Sequence, residues 1–540
     1  MVPRAMAEGA GSGAPPRAAC RTLPRAAEVL CALAVAALFG WNVARTWSLG
    51  DDAFISFRYA ANLSDGLGLV WNVGERVEGY TNFSWVLLLA GGLELGLAPE
   101  LLSNVLGVAC GALLLVALHG FAARGRAPNS LFPWLLVLAL AASRSFAAWC
   151  TGGLETMLFT LLVFLGYARL FAGWERERRD ALVCALYFAG AALTRPEGIL
   201  FGGMAFALLG LEVLRRRRSP RAALVWLAPF TLVVAGHFLW RRGYYGEWLP
   251  NTFYAKVGGL WLEQGRRYFA YFHDCYRIGW FTPLALVALF GPCRRAAAAA
   301  LFVLAVYGAY VLAVGGDVFE LRFSVHVFPL VYWLLVEGLA VLAALPRAPA
   351  AGPVLAALGA LALLVTTHLG FERVPANRYG LQSVEGIREY TRMRIEEGRA
   401  LRRFIDEGKL PRDVVLCVGG AGAVPYYTRW TTVDRRGLTD AAIARMPVAG
   451  RGFVAHEHDA PHEYLLARGV VVFDFFNNLL VKRRGLRSLA KQEPFHHDGR
   501  VLTMRAIPLD ERALVFGTFV DDPELARRFP GARVLALDDG

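Results

Sequence analysis

Between Ala27 and Leu369 the chain repeatedly runs apolar for long enough to cross a lipid bilayer, and after Phe371 it never does so again. A crossing helix needs roughly 17 to 25 predominantly apolar residues, because the hydrocarbon layer is about 30 Å thick. Lipid offers no partner to a backbone amide, so such segments must be helices that satisfy their own hydrogen bonds. The pattern therefore dictates a polytopic α-helical membrane protein followed by a soluble part. Composition agrees: 56% of the 540 residues are hydrophobic, above the ~45–50% of ordinary soluble domains. The expected division is a disordered cytoplasmic tail over 1–26, a transmembrane domain over 27–370 with a first outer loop at 48–99, and a soluble extracytoplasmic α/β domain over 371–540.

Arginine sets the orientation, since basic linkers favour the cytoplasmic side. Crossings at about 27–46, 100–121, 130–143, 154–172, 181–194, 198–214, 222–240, 279–291, 296–314, 325–345 and 351–369 put every basic linker inside. These linkers are Arg124 with Arg126, Arg176 with Arg178 and Arg179, Arg215 to Arg218, Arg294 with Arg295, and Arg347. The assignment requires the apolar stretch 83–97, which carries Glu94, to be an embedded or interfacial helix. If it crossed, all of these linkers would face outward. The expectation is about 11 transmembrane helices in the cytoplasmic (inner) membrane, N-terminus cytoplasmic and C-terminus extracytoplasmic. Topology thus accounts for the net charge of +13 without nucleic acid. A signal peptide is the other reading of the first apolar run, but no A-x-A-like site follows it, which favours an uncleaved helix. The eight cysteines are scattered with no C-x-x-C spacing and indicate neither a disulfide framework nor a zinc site. Cys275 and Cys417 fall in segments placed on the outer side, beyond the spans, and offer a candidate bridge.

With this orientation the unusual polar segments converge on the outer face: 51–82, 144–153, 194–198, 241–277 and 315–324. The first opens on Asp51 and Asp52, where a span should have ended. A carboxylate at this boundary can act as a general base, and the pair can hold a divalent cation through oxygen ligands. The alternative is a solvated helix cap, because Asp favours N-caps and DDAFISFRYAANL reads as a short amphipathic helix. Arg58, Arg195, Lys256 and Arg322 are outer cations at the depth of a lipid phosphate, which Arg binds bidentately and Lys as a point charge. Interfacial snorkelling is the alternative. Outer aromatics such as Tyr59, Trp71, Tyr80, Trp149 and Tyr254 can stack on sugars, although an aromatic belt explains most of them.

Beyond Phe371, residues 382–408 read as a helix, and 414–419, 430–434 and 470–473 as strands, giving a small sheet with flanking helices. The stretch VVLCVGGAGAVP before Val433-Asp434 is faintly like a dinucleotide fingerprint, with Pro425 in place of the third glycine. His456-Glu457-His458 with His462 could ligate a metal, or form a plain surface loop.

Taken together, DDAFISFRYAANLSDGLGLVWNVGERVEGYTNFSWVLLL, TGGLETMLF, ALTRPEGIL, LPNTFYAKVG and GGDVFELRFSVHVFPL resemble the polytopic glycosyltransferases of the GT-C superfamily, and within it actinobacterial terminal arabinofuranosyltransferases. The likeness continues through GGAGAVPYYT, VDRRGLTD and HEYLLARGV. It implies an inverting enzyme that moves one sugar, arabinofuranose or another, from a polyprenyl-phosphate donor to an extracytoplasmic glycan or lipid acceptor. The catalytic base maps to Asp51 or Asp52, and no metal or other cofactor is certain. Arg58, Arg195, Lys256, Arg322 and His326 are the candidate donor-phosphate contacts. Glu78, Tyr80, Asn82, Asn251, Tyr254 and Asp317 are the candidate acceptor or sugar contacts. A polytopic transporter or lipid-linked-saccharide flippase is the rival from another class.

Overall fold

The computed structural model describes residues 24–126, 130–174, 176–256, 259–344, 351–369, 375–448, 457–490, 495–519 and 522–534. The tail over 1–23, Arg347 and His456 lie outside the described residues. Among the rest, a helix lies over every segment expected to cross. Six are long and apolar enough to span a membrane: Arg25–Thr46, Pro99–Ala123, Glu197–Leu214, Pro220–Tyr245, Arg294–Val314 and Ala351–Leu369. Shorter apolar helices, among them Leu131–Ala142, Thr156–Phe171 and Phe328–Ala343, pack between them. The protein is a multi-pass membrane protein.

Two helices form a layer at one end of this bundle. Ala53–Ser64 is buried without a break from Ala53 to Asn62, so the alternative of a solvated amphipathic helix does not describe it. A helix can be buried all round only if both of its sides are covered, and here the bundle covers one and the C-terminal domain the other. Its polar side chains are all satisfied inside. Ser56 and Asn82 hydrogen-bond each other, the Tyr59 hydroxyl donates to Val77 O at 2.6 Å, and Asn62 Nδ2 donates to Val70 O at 2.7 Å. Phe83–Glu94 runs parallel to this helix, tied to it near one end by Asn82 and Ser56 and at the other by Ser64 Oγ donating to Glu94 at 2.7 Å. Its 12 residues rise only about 18 Å.

The C-terminal domain opens on Val384–Asp406, capped by Ser383 Oγ, which accepts from Gly386 N at 3.1 Å. Eight strands follow: β1 Val415–Val418, β2 Thr431–Asp434, β3 Val472–Phe473, β4 Leu480–Lys482, β5 Phe495–His497, β6 Arg500–Leu509, β7 Arg512–Thr518 and β8 Arg533–Val534. The main path is β2-β1-β3-β7-β6-β5, with β4 on β7 and β8 on β6. Strands β1, β2 and β3 pair in parallel, with Cys417 opposite Val433 and Leu416 opposite Val472. The rest is antiparallel, built on the β6–β7 hairpin that turns at Asp510-Glu511. A short helix, Ala423–Thr428, crosses from β1 to β2 and packs on both Val384–Asp406 and Ala53–Ser64. Cys275 and Cys417 are both buried free thiols, so the candidate bridge is not formed.

Candidate active site

The first helix ends at Thr46, and the chain then pairs with the loop before Thr156–Phe171, Gly50 N donating to Gly152 O at 2.9 Å. This contact delivers Asp51 and Asp52 to the first turn of Ala53–Ser64, where their carbonyls accept from Phe54 N and Ile55 N. Neither carboxylate caps its own helix: Asp52, in the N-cap position, makes no side-chain cap bond. Asp51 Oδ1 instead accepts from Ala423 N at 2.9 Å, across 372 residues of sequence.

Both acids open onto a cavity of about 1110 Å³ between the bundle and the C-terminal domain. The bundle side contributes Arg144, Lys256, Tyr271 and Glu320, and the domain side Tyr390, Gly419, Gly420, Arg435, Arg436 and Asn477. Burial pushes the Asp51 carboxyl up to about 6, with Arg394 and the Ala423 amide opposing and the charges of Asp52 and Asp474 adding. Burial likewise pushes Glu320 up to about 7 against the pull of Arg144 and the Val384 amide. Glu320 Oε2 accepts from Val384 N at 3.0 Å, while Oε1 is buried without a partner. Perturbed carboxyls lining a cleft are what acid–base chemistry requires. Beneath Asp51 lies a buried ion network in which Arg394 bridges Glu397 at 2.5 Å and Asp474 at 2.7 Å.

The remaining candidates fall into two further groups. Asn82, Arg195, Asp317, Arg322 and His326 share a polar cluster within the bundle. Arg195 pairs with Glu155 at 2.6 Å and Glu197 at 2.9 Å, Asn82 donates to Glu155 at 2.7 Å, and Arg322 Nε donates to Asp317 at 2.5 Å. His326 Nδ1 meets Thr160 Oγ1 at 3.2 Å, and its Nε2 is buried without a partner. The other group joins loops. Arg58 is 3% exposed and donates to Trp71 O, Pro425 O and Trp430 O at 2.9 to 3.0 Å, so it staples the loop after Ala53–Ser64 to the C-terminal domain away from the cavity. Asn251 Nδ2 donates to Gly437 O and Leu438 O, and Tyr254 lies under Arg445. Glu78 pairs with Arg241 at 2.5 Å, and the Tyr80 hydroxyl meets that of Tyr245 at 3.1 Å.

The structure adds Glu155, Arg144, Glu320, Tyr390 and the Ala423 amide to what the sequence suggested. Glu155 and Glu320 had a legible signal, a carboxylate at the mouth of an apolar run, which is costly unless it is paired or functional. The backbone amide had none. For the divalent cation, the residues present do not make a cage: among the described residues no three of His, Cys, Asp and Glu stand together as a metal site. This holds for His458 and His462 too. The faint dinucleotide likeness also has a physical answer. The glycine-rich turn does lead from a strand into a helix, as an anion-binding turn does, but the anion against it is Asp51.

In fold, the chain is similar to solved proteins over nearly its whole length. It superposes on the crystal structure of ArnT from Cupriavidus metallidurans bound to undecaprenyl phosphate with a TM-score of 0.58 and 14% identity, covering 92% of this chain and 98% of that one. The Archaeoglobus fulgidus oligosaccharyltransferase matches at 0.50 and 11%, over 90% of this chain and 72% of its own. In sequence, the chain is similar to terminal β-(1→2)-arabinofuranosyltransferases. It is 34% identical over 283 residues to that of Mycobacterium tuberculosis, covering 48% of this chain and 42% of the relative. To that of Corynebacterium glutamicum it is 30% identical over 244 residues, covering 40% and 34%. The chain thus spans less than half the length of both curated relatives. Residues 385–501, which include most of the cavity's C-terminal wall, match a family described as a domain of unknown function, DUF8728.

Proposed function

We propose that the protein is an inverting glycosyltransferase. It moves one sugar from a polyprenyl-phosphate donor to a glycan or lipid acceptor on the outer side of the cytoplasmic membrane. Arabinofuranose is the sugar favoured by the similarity to the arabinofuranosyltransferases. The observation that carries the reading is a desolvated carboxylate, Asp51, opening with Asp52 onto a cavity wide enough for saccharide units at the junction of bundle and domain.

In the reaction, a carboxylate of the Asp51-Asp52 pair takes the proton of an acceptor hydroxyl. The hydroxyl oxygen then forms a bond to the anomeric carbon. The bond from that carbon to the phosphate oxygen breaks, and its electron pair leaves on the polyprenyl phosphate. Lys256, on the cavity, is the cation available to the departing phosphate, whose growing charge it would stabilise. A pKa near the working pH suits a general base, which needs to be both ionised and basic. With the basic linkers inside, the C-terminal domain is extracytoplasmic and the acceptor reaches the site from that side.

A transporter places its polar groups near the bilayer mid-plane, on broken helices. A cavity between outer loops and a soluble domain favours transfer over transport. The test is transfer from a radiolabelled polyprenyl-phosphate sugar by the native chain and by Asp51→Asn, Asp52→Asn and the double variant. Full transfer by all three variants would refute the mechanism.

A further inference from the structure

Resting on that reading, we infer that the turn Gly419–Ala423 of the C-terminal domain is a positioning element for Asp51: Gly422 admits the carboxylate and the Ala423 amide fixes it. The two acids are adjacent in sequence, yet only Asp51 is gripped. A Cβ placed on Gly422 would sit 2.1 Å from the Asp51 carboxyl carbon and from Oδ2, and 2.3 Å from Oδ1. Contacts that close do not exist, so any side chain at 422 must displace the carboxylate. Gly420 flanks the other side, where a Cβ would come within 3.3 Å of Asp51 Oδ2 and 2.6 Å of the Tyr390 hydroxyl.

The turn is in turn held against the outer layer by contacts that do not involve Asp51. Arg58 Nη1 donates to Pro425 O at 3.0 Å, and the ring of Phe54 packs on Tyr426 at 5.5 Å. Asn72 Nδ2 donates to Thr432 O at 2.9 Å while its Oδ1 accepts from Thr432 N at 2.9 Å. The C-terminal domain is therefore docked without the Asp51–Ala423 bond, and that bond is free to serve the carboxylate's aim. A base displaced by about 1 Å can cost on the order of 10²-fold in rate.

Gly422→Ala and Ala423→Pro test this in the full chain, purified with its membrane region intact. Proline is tolerated in the first turn of a helix, which is where Ala423 stands, and it removes the donor. Both variants are expected to lower kcat at least tenfold with the donor and acceptor KM values within twofold of native and the melting temperature unchanged. Should Gly422→Ala melt early, Ala423→Pro decides. A native kcat in a well-folded variant, or a raised KM at native kcat, would overturn the inference. A native chain without transfer activity, or full activity in the Asp51→Asn, Asp52→Asn and double variants alike, would instead overturn the proposed function, whereas full activity in Asp51→Asn alone would overturn only this inference, so the two failures are distinguishable.

Discussion

Two charged clusters lie at the end of the bundle that meets the C-terminal domain, and they are built on opposite principles. Around Arg195 the charges are matched in the sense that each has a partner: Glu155 and Glu197 share one guanidinium, and Asp317 takes the next. Around Asp51 the carboxyl groups are buried against a cavity and only loosely paired: among the described residues no ion pair reaches Asp51, the Arg144 guanidinium stands 4.0 Å from Glu320, and burial pushes Asp51 up to about 6 and Glu320 up to about 7. A matched cluster has little charge left to offer and is expensive to break. An unmatched one is expensive to keep, and such groups persist where chemistry uses them. The difference teaches which cluster is framework and which is reagent, and substitutions at each should fail in different ways.

The largest effect should come from the reagent side. Asp51→Asn keeps the shape and the acceptor oxygen for the Ala423 amide but removes the base, so transfer should fall by about 10²- to 10⁴-fold. Retained folding, read by melting temperature, is part of the expectation. Next comes the framework side. Arg195→Ala leaves Glu155 and Glu197 as buried carboxylates without their cation, a loss of about 3–5 kcal/mol in stability. Its signature is a lowered melting temperature in all conditions. An Arg195→Ala chain that melts like the native one but no longer turns over would reverse the assignment of this cluster from framework to donor-phosphate contact.

Much of this contrast was legible in the sequence, and the part that was not has a common cause. The helical bundle follows from apolar run length alone, and Asp51 and Asp52 stood out because two acids at the end of an apolar run demand an explanation. Arg195 was legible as a cation, though its ion pairs with Glu155 and Glu197 were not. What stayed hidden was every partner supplied from afar. Arg58 read as a phosphate contact because its depth was legible, while the carbonyls of Pro425 and Trp430 that it serves are more than 360 residues away. The Ala423 amide is a backbone group and carries no residue signal at all. The second half of the sheet was hidden for a different reason. Strands β6 and β7 pack on both faces and so lack the strict alternation that marks a half-exposed strand.

The smallest effect is the one that separates the clusters most cleanly, because its sign reverses between them. Asp51 has an ordinary value of 3.8 and is pushed up to about 6 in the folded chain. The folded state therefore binds more protons than the unfolded state between these values, and stability must fall as pH rises through that window. A shift of this size corresponds to at most about 3 kcal/mol, absent below pH 3.8 and fully felt above about 6. Asp51→Asn removes the cost, so at pH 7.5 the variant should melt higher than the native chain although it is inactive. The gain should shrink as the pH is lowered through 6. Glu155→Gln, taken from the matched cluster, should do the opposite and melt lower than native, because it weakens the pairing of a buried guanidinium. Melting curves of the two variants and the native chain at pH 7.5 and 5.0 decide it. An Asp51→Asn gain that is independent of pH would mean that the carboxylate is not desolvated in the folded protein, and the distinction between reagent and framework would lose its electrostatic basis.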